Sequence, residues 1–198
     1  MTNFAHFSYK RLIRNTLCVI IGLFFFLGIY FFVRPICSVG RSMLPTIQNV
    51  HFLVTTPRSH NPFVKLQRGD VVIVRCEQRD ALLTKRLIGL PEDTVEIRNN
   101  QIYINGTLLH ESYLYESMVT KDVAPFTLGE DMYYVLGDNR NVSADSRYYG
   151  LFSGSDIYAT VDLNNQPIYW LVLAVLFVNM LLWIAYLPDW DSPRTAKV

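Results

Sequence analysis

Two uninterrupted apolar runs frame the chain. Residues 17–33, LCVIIGLFFFLGIYFFV, are apolar apart from Gly22 and Gly28, and residues 168–187, IYWLVLAVLFVNMLLWIAYL, are apolar apart from Asn179. A helix of about 17–25 apolar residues matches the hydrocarbon thickness of a bilayer, so both runs predict transmembrane helices. The first run exceeds the roughly 7–15 apolar residues of a cleaved signal segment. Arg34-Pro35 follows it, where small residues would mark a cleavage site. The second is apolar on every face, which suits lipid better than one-sided burial in a core.

Between the runs the pattern changes to short alternating stretches. DVVIV at 70–74, LLTKRLI at 82–88, TVEI at 94–97, QIYIN at 101–105 and MYYVL at 132–136 are β-branched or aromatic and bounded by Gly, Pro, Asn and Asp. Asn99-Asn100 and Asn105-Gly106 separate three of them, so residues 94–109 predict a three-stranded meander with tight turns. Stretches 57–69 and 112–130 carry Pro, Ser, Asn and charges and read as loops. No segment of convincing length has the helical period. The expected fold is mainly β: an antiparallel β-sheet domain flanked by an N-terminal and a C-terminal transmembrane helix.

Charge then orients the chain. Lys10, Arg11 and Arg14 precede the first run and Arg34 alone follows it, which places the N-terminus in the cytoplasm. The expected organisation is a cytoplasmic N-terminus at 1–16, a span at 17–33, an extracytoplasmic β-rich domain at 34–167, a span at 168–187 and a cytoplasmic tail at 188–198. Of 198 residues, 51% are hydrophobic and 18% charged, with a net charge of +1. That balance excludes a disordered chain and gives no support for a nucleic-acid partner held by basic excess. The mean hydropathy of +0.18 averages two anchors with a fairly polar domain. Three cysteines, Cys18, Cys37 and Cys76, make no disulfide framework, and no Cys/His spacing suggests a metal site or another cofactor. His6, His51, His60 and His110 read as surface residues.

Three segments carry chemistry. In the first, GRSMLPT at 40–46, Ser42 stands between Gly-Arg and a Met-Leu-Pro turn. In the second, strand alternation puts Leu83, Lys85 and Leu87 on one face and Arg86 on the other, so Lys85 projects among leucines while Arg86 reaches water. A buried lysine tends to lose its proton and become a general base, whereas a lysine at a sheet edge extends its ammonium to solvent. A serine needs a base within hydrogen-bond reach, and with no Ser-His-Asp set evident, a Ser-Lys dyad is the economical arrangement. The third, GDNRNVSADSRYYG at 137–150, packs two Asp and two Arg into a short loop that can pair internally beside a reactive group.

In this order, GRSMLPT, RGDVVIV at 68–74, KRLIGLPEDTVEI at 85–97, YINGTLLHESYL at 103–114 and LGDNRNVSADSRYYG at 136–150 resemble the type I signal peptidase family, membrane-bound Ser-Lys proteases. The resemblance implies Ser42 as nucleophile, Lys85 as general base, and Ser143 as the hydroxyl that orients the lysine amine. It implies that Asp138, Arg140, Asp145 and Arg147 organise the loops around the dyad, with Arg86 also supporting it. Met43 and Pro45 would shape the turn that presents the serine. The Ser42 backbone N–H is implied as an oxyanion donor. Gly40 is as in the family's Gram-positive-like branch and lacks the hydroxyl that completes that hole in other members.

Two further departures stand out. Glu92 occupies a position where the family usually has Gly, and Asn141-Val142 replaces the common Asp-Asn. Implied partners are preproteins bearing signal peptides and the lipid bilayer, in a plasma membrane. Alternatives are a specialised Ser-Lys protease, processing mitochondrial inner-membrane or pilin and conjugation precursors, and an inactive membrane-anchored scaffold that binds exported peptides. Asn105-Gly106-Thr107 and Asn141-Val142-Ser143 match the glycosylation pattern, but a glycan on Asn141 would sit in the presumed active-site loop.

Overall fold

The computed structural model describes residues 16, 19, 20, 22, 23, 27, 34–58 and 65–185. Most of the expected first span, nearly all of the N-terminal segment before it, His60 and the tail from residue 186 lie outside them. The chain divides into two units, Met1–Asp162 and Leu163–Val198.

The first unit is built of antiparallel strands. β1 (Arg34–Ser38), β2 (His51–Pro57), β3 (Val71–Cys76), β4 (Ala81–Gly89), β9 (Met132–Leu136), β10 (Phe152–Ser153) and β11 (Ile157–Val161) form a sheet in the order β1-β2-β11-β3-β4-β9-β10. A second sheet orders β7 (Thr107–Leu108), β6 (Gln101–Ile104), β5 (Thr94–Arg98) and β8 (Val123–Thr127). The expected meander is present as β5-β6-β7. Its turns use positive φ at Asn99 (51°), Asn100 (61°), Asn105 (50°) and Gly106 (77°), the left-handed values that two-residue hairpin turns require.

β8 falls within the stretch read as a loop at 112–130. Pro125 weakens its strand signal, and β8 is an edge strand of its sheet, where a missing N–H is tolerated. β1, β2, β10 and β11 also lay outside the predicted strands. β10 has two residues, and β1 carries Pro35 at its second position.

Strands β4 and β9 divide two cores between their faces. Leu87, Tyr133 and Val135 pack with Val72, Val74, Phe152 and Ile157, whereas Ile88, Tyr134 and Leu136 pack with Val95, Ile97, Ile102 and Ile104 of the smaller sheet. Each such fully buried side chain contributes about 1.5–3 kcal/mol relative to exposure. Because both faces of β4 are covered, Lys85 and Arg86 are both buried, at 3% and 7% exposure. The expectation that Arg86 reaches water is therefore incorrect: alternation gave opposite faces correctly, but the face of Arg86 lies under the second sheet. Gly89 marks the register shift between β4 and β9, and a Cβ there would meet Leu128 Cδ1 at 2.6 Å.

The second unit contains a helix at Gln166–Ala185, with side chains described through Asn179. Asn179, the polar residue of the apolar run, donates its amide N–H to the Val175 carbonyl at 2.8 Å. Ile168, Leu171, Val175 and Phe177 are exposed. Among the described residues no helix is long and apolar enough to cross a membrane.

Candidate active site

Ser42 is carried on a tight turn directly after β1. Gly40 has φ +129°, a conformation that suits glycine, and its N–H donates to Asn49 Oδ1 at 3.1 Å. The turn closes through Leu44 N–H to Arg41 O at 3.3 Å and Ile47 N–H to Met43 O at 2.9 Å, and the Leu44–Pro45 peptide is cis. Met43 and Ile47 are buried and pin the turn to the domain, leaving Pro45 exposed and Ser42 half-buried.

Lys85 reaches this turn from the middle of β4, opposite Val72 of β3. Its Nζ donates to Ser42 Oγ at 2.9 Å and to the Thr84 carbonyl at 3.0 Å. Burial lowers the Lys85 pKa from 10.5 to about 8, Arg79 adds to the lowering, and the carboxylates of Asp145 and Asp138 oppose it. The ammonium is thus destabilised without being abolished, and just above neutrality the amine can accept a proton from the hydroxyl it touches.

The loop at 137–147 closes the site from the other side. Asn139 N–H donates to Ser42 O at 2.9 Å, and the Thr46 hydroxyl donates to Asp138 Oδ2 at 2.5 Å. Arg86 grips Asp138 with two donors, Nε to Oδ1 at 2.7 Å and an Nη to Oδ2 at 2.6 Å, and another Nη donates to Gly69 O at 2.7 Å. Asp145 is fully buried and accepts the Gly137 N–H at 3.0 Å and two Arg147 donors at 2.9 and 2.8 Å. Arg147 also donates to the carbonyls of Arg140 and Ser143. Arg140 Nε donates to Gly137 O at 2.9 Å.

At Gly137 the loop runs close against the turn. A Cβ there would lie 2.5 Å from Ser42 O and 2.3 Å from Ser143 Oγ. The Ser143 hydroxyl is buried beside Gly137 and has no hydrogen-bond partner among the described residues. Among the described residues, the hydrogen bonds of Lys85 Nζ are those to Ser42 Oγ and the Thr84 carbonyl.

Several residues of the site were not singled out from the sequence, among them Glu111, which pairs with Arg140, and Tyr113, whose ring lies over Arg86. Thr46 lies inside the GRSMLPT motif, so its position was a usable signal, and Thr84 is named only for the carbonyl that any residue would supply. Glu111 and Tyr113 lie in the segment 103–114, where an ordinary acid and an ordinary aromatic carry no signal of their own. At the Glu92 position, φ is +69°, the left-handed region a glycine there would adopt freely. Asn141 Oδ1 accepts the Val119 N–H at 2.8 Å, and its amide donates to Glu116 and to Ser117 O, docking that loop on the site. Among the described residues no His, Cys, Asp and Glu come together in a way that could hold a metal ion.

A serine hydroxyl bonded to a buried lysine amine, on an antiparallel β scaffold, is the arrangement of a hydrolase that works without histidine. The family of signal peptidases, peptidase S26, matches residues 10–165, and the chain belongs to this family of serine peptidases. It is 37% identical to signal peptidase I P of Bacillus subtilis subsp. natto, covering 70% of this chain and 80% of that one. Signal peptidase I U of Bacillus subtilis (strain 168) is 31% identical over 80% of this chain and 88% of its own. A crystal structure of a signal peptidase I from Enterococcus faecalis V583 superposes with a TM-score of 0.45 at 36% identity, over 50% of this chain and 97% of that one.

Proposed function

We propose that this chain is a membrane-bound endopeptidase that removes N-terminal signal peptides from exported preproteins, with Ser42 as nucleophile and Lys85 as general base. The observation that carries the reading is the 2.9 Å contact between Lys85 Nζ and Ser42 Oγ, made by a lysine that is 3% exposed. Neutral Lys85 takes the hydroxyl proton as Oγ attacks the scissile carbonyl. The resulting ammonium passes that proton to the leaving amine, and Lys85 then activates the water that hydrolyses the acyl-enzyme. With a pKa near 8, about a tenth of the molecules carry the neutral amine at pH 7.

The Ser42 backbone N–H serves as an oxyanion donor, and Gly40 offers no side-chain hydroxyl beside it. Small side chains at the first and third positions before the cut fit the family resemblance. The apolar runs at 17–33 and 168–187 support a two-span topology in the plasma membrane, with both termini cytoplasmic and the peptidase domain outside. Ser42 then sits a few residues beyond the end of the first span, and a substrate tethered in the same bilayer meets it at raised effective concentration.

The test is N-terminal sequencing of a model preprotein after incubation with wild type and with Ser42→Ala. A single mature N-terminus from wild type and none from the variant supports the proposal. Equal cleavage by Ser42→Ala refutes it.

A further inference from the structure

The segment 103–114 supplies neither nucleophile nor base, yet two of its side chains lie between the two arginines that flank the dyad. Glu111 has a side chain only 7% exposed and pairs with Arg140, which donates from one Nη at 3.0 Å and from the other to Oε1. The Tyr113 hydroxyl donates to the same Glu111 Oε1 at 2.8 Å. The Tyr113 ring lies 4.0 Å from Arg86 Cζ. A continuous set of contacts thus runs from Asp138 through Arg86, Tyr113 and Glu111 to Arg140, and from Arg140 Nε to the Gly137 carbonyl.

Both ends of this chain of contacts touch the reacting groups' supports. Arg86 follows Lys85 on β4 and grips Asp138, while Gly137 lies against the Ser42 carbonyl. Fixing Arg86 relative to Arg140 therefore fixes the lysine strand relative to the serine turn. Arg86 ties the strand to the loop at Asp138, and Arg140 is held to Gly137, but the two arginines do not attract each other, since like charges repel. An acid between them, and a ring whose face attracts one guanidinium while its hydroxyl holds the acid, supplies the attraction.

We propose that Glu111 and Tyr113 are positioning residues that clamp Arg140 to Arg86 and so hold Lys85 Nζ and Ser42 Oγ in reacting register. The proposal rests on the Ser42-Lys85 reading. Its experiment uses the full-length protein in detergent with a model preprotein, with active sites counted by a serine-directed acylating inhibitor and kcat expressed per labelled site.

Glu111→Ala is expected to lower kcat per site about 100-fold, and the near-isosteric Glu111→Gln about 10-fold, each with KM within about twofold of wild type, because misplacing a reacting group by about 1 Å costs on that order. Tyr113→Phe, which keeps the ring over Arg86 and loses the bond to Glu111, is expected to lower kcat about threefold to fivefold, and Tyr113→Leu to lower it further. Should Glu111→Ala not fold, Glu111→Gln and Tyr113→Phe carry the test. A smaller labelled fraction with unchanged kcat per site assigns a merely structural role and overturns the clamp, as does kcat within twofold of wild type in both Glu111→Gln and Tyr113→Leu. Wild type that is active but does not label at Ser42 refutes the dyad reading instead, which separates the two failures.

Discussion

Arg86 and Asp138 meet through two hydrogen bonds of 2.7 and 2.6 Å, with the Asp138 side chain wholly buried and the Arg86 side chain nearly so. The pair joins the lysine-bearing strand to the loop that closes over Ser42. Removing one partner leaves the other charge in a low-dielectric interior, which costs about 3–5 kcal/mol.

Asp138→Ala is therefore expected to destabilise the domain by about 3 kcal/mol or more, measured by chemical denaturation. The double variant Arg86→Met/Asp138→Leu, which leaves no unpaired charge, is expected to recover much of that stability. It is not expected to recover activity, because the direct Arg86–Asp138 link between strand and loop is gone. A double variant no more stable than Asp138→Ala would count against the buried pair as the cause.

Lys85 ties stability to pH in a defined direction. Its folded pKa of about 8 lies below the ordinary 10.5, so the unfolded chain binds the extra proton between those values. Below pH 8 the folded state must carry a buried ammonium, at a cost of about 3 kcal/mol by linkage, and the cost fades as pH rises to 10.5. Lys85→Met is expected to be more stable than wild type by up to about 3 kcal/mol at pH 7, with the difference vanishing toward pH 10.5. Denaturation midpoints across that range check it, and a pH-independent difference contradicts it.

Gly137→Ala probes the approach of loop and turn. The new methyl would lie 2.5 Å from Ser42 O and 2.3 Å from Ser143 Oγ, so backbone must move. If Ser42 is the nucleophile as proposed, a shift of about 1 Å there is expected to lower kcat/KM about 100-fold. Preprotein cleavage at wild-type rate by this variant would show that the approach does not position Ser42.

Asn105→Ala separates stability from chemistry. Asn105 has φ +50°, accepts the Thr94 N–H on Oδ1 at 2.8 Å, and donates to Asp93 Oδ1 at 2.9 Å. Losing these bonds and the tolerance of left-handed backbone is expected to cost about 1–3 kcal/mol. The turn lies on the smaller sheet and its side-chain hydrogen bonds reach Thr94 and Asp93, not Ser42 or Lys85, so kcat per folded molecule should stay near wild type. A large loss in kcat per site would overturn that separation.

The hairpins were legible because Asn99-Asn100 and Asn105-Gly106 state their turn type locally, and β3, β4 and β9 because their apolar runs are long enough to read. β8 was hidden by Pro125, which its edge position and the register shift beside it accommodate. Lys85 among leucines could be read from alternation, and Ser42 by its motif. Arg86 could not, since alternation gives the face of a residue and not what covers it. Glu111 was invisible for a related reason: its partner Arg140 is 29 residues away, and only the packed loop brings them together.

The central claim is that a neutral, buried Lys85 activates Ser42. The most direct measurement is the rate at which a serine-directed acylating inhibitor labels the protein from pH 5 to 9, with the labelled residue identified by mass spectrometry. The account predicts label on Ser42, a rate rising about tenfold per pH unit before levelling near pH 8, and no label in Lys85→Met. Label on another residue, or a rate that is flat across this range, would contradict it.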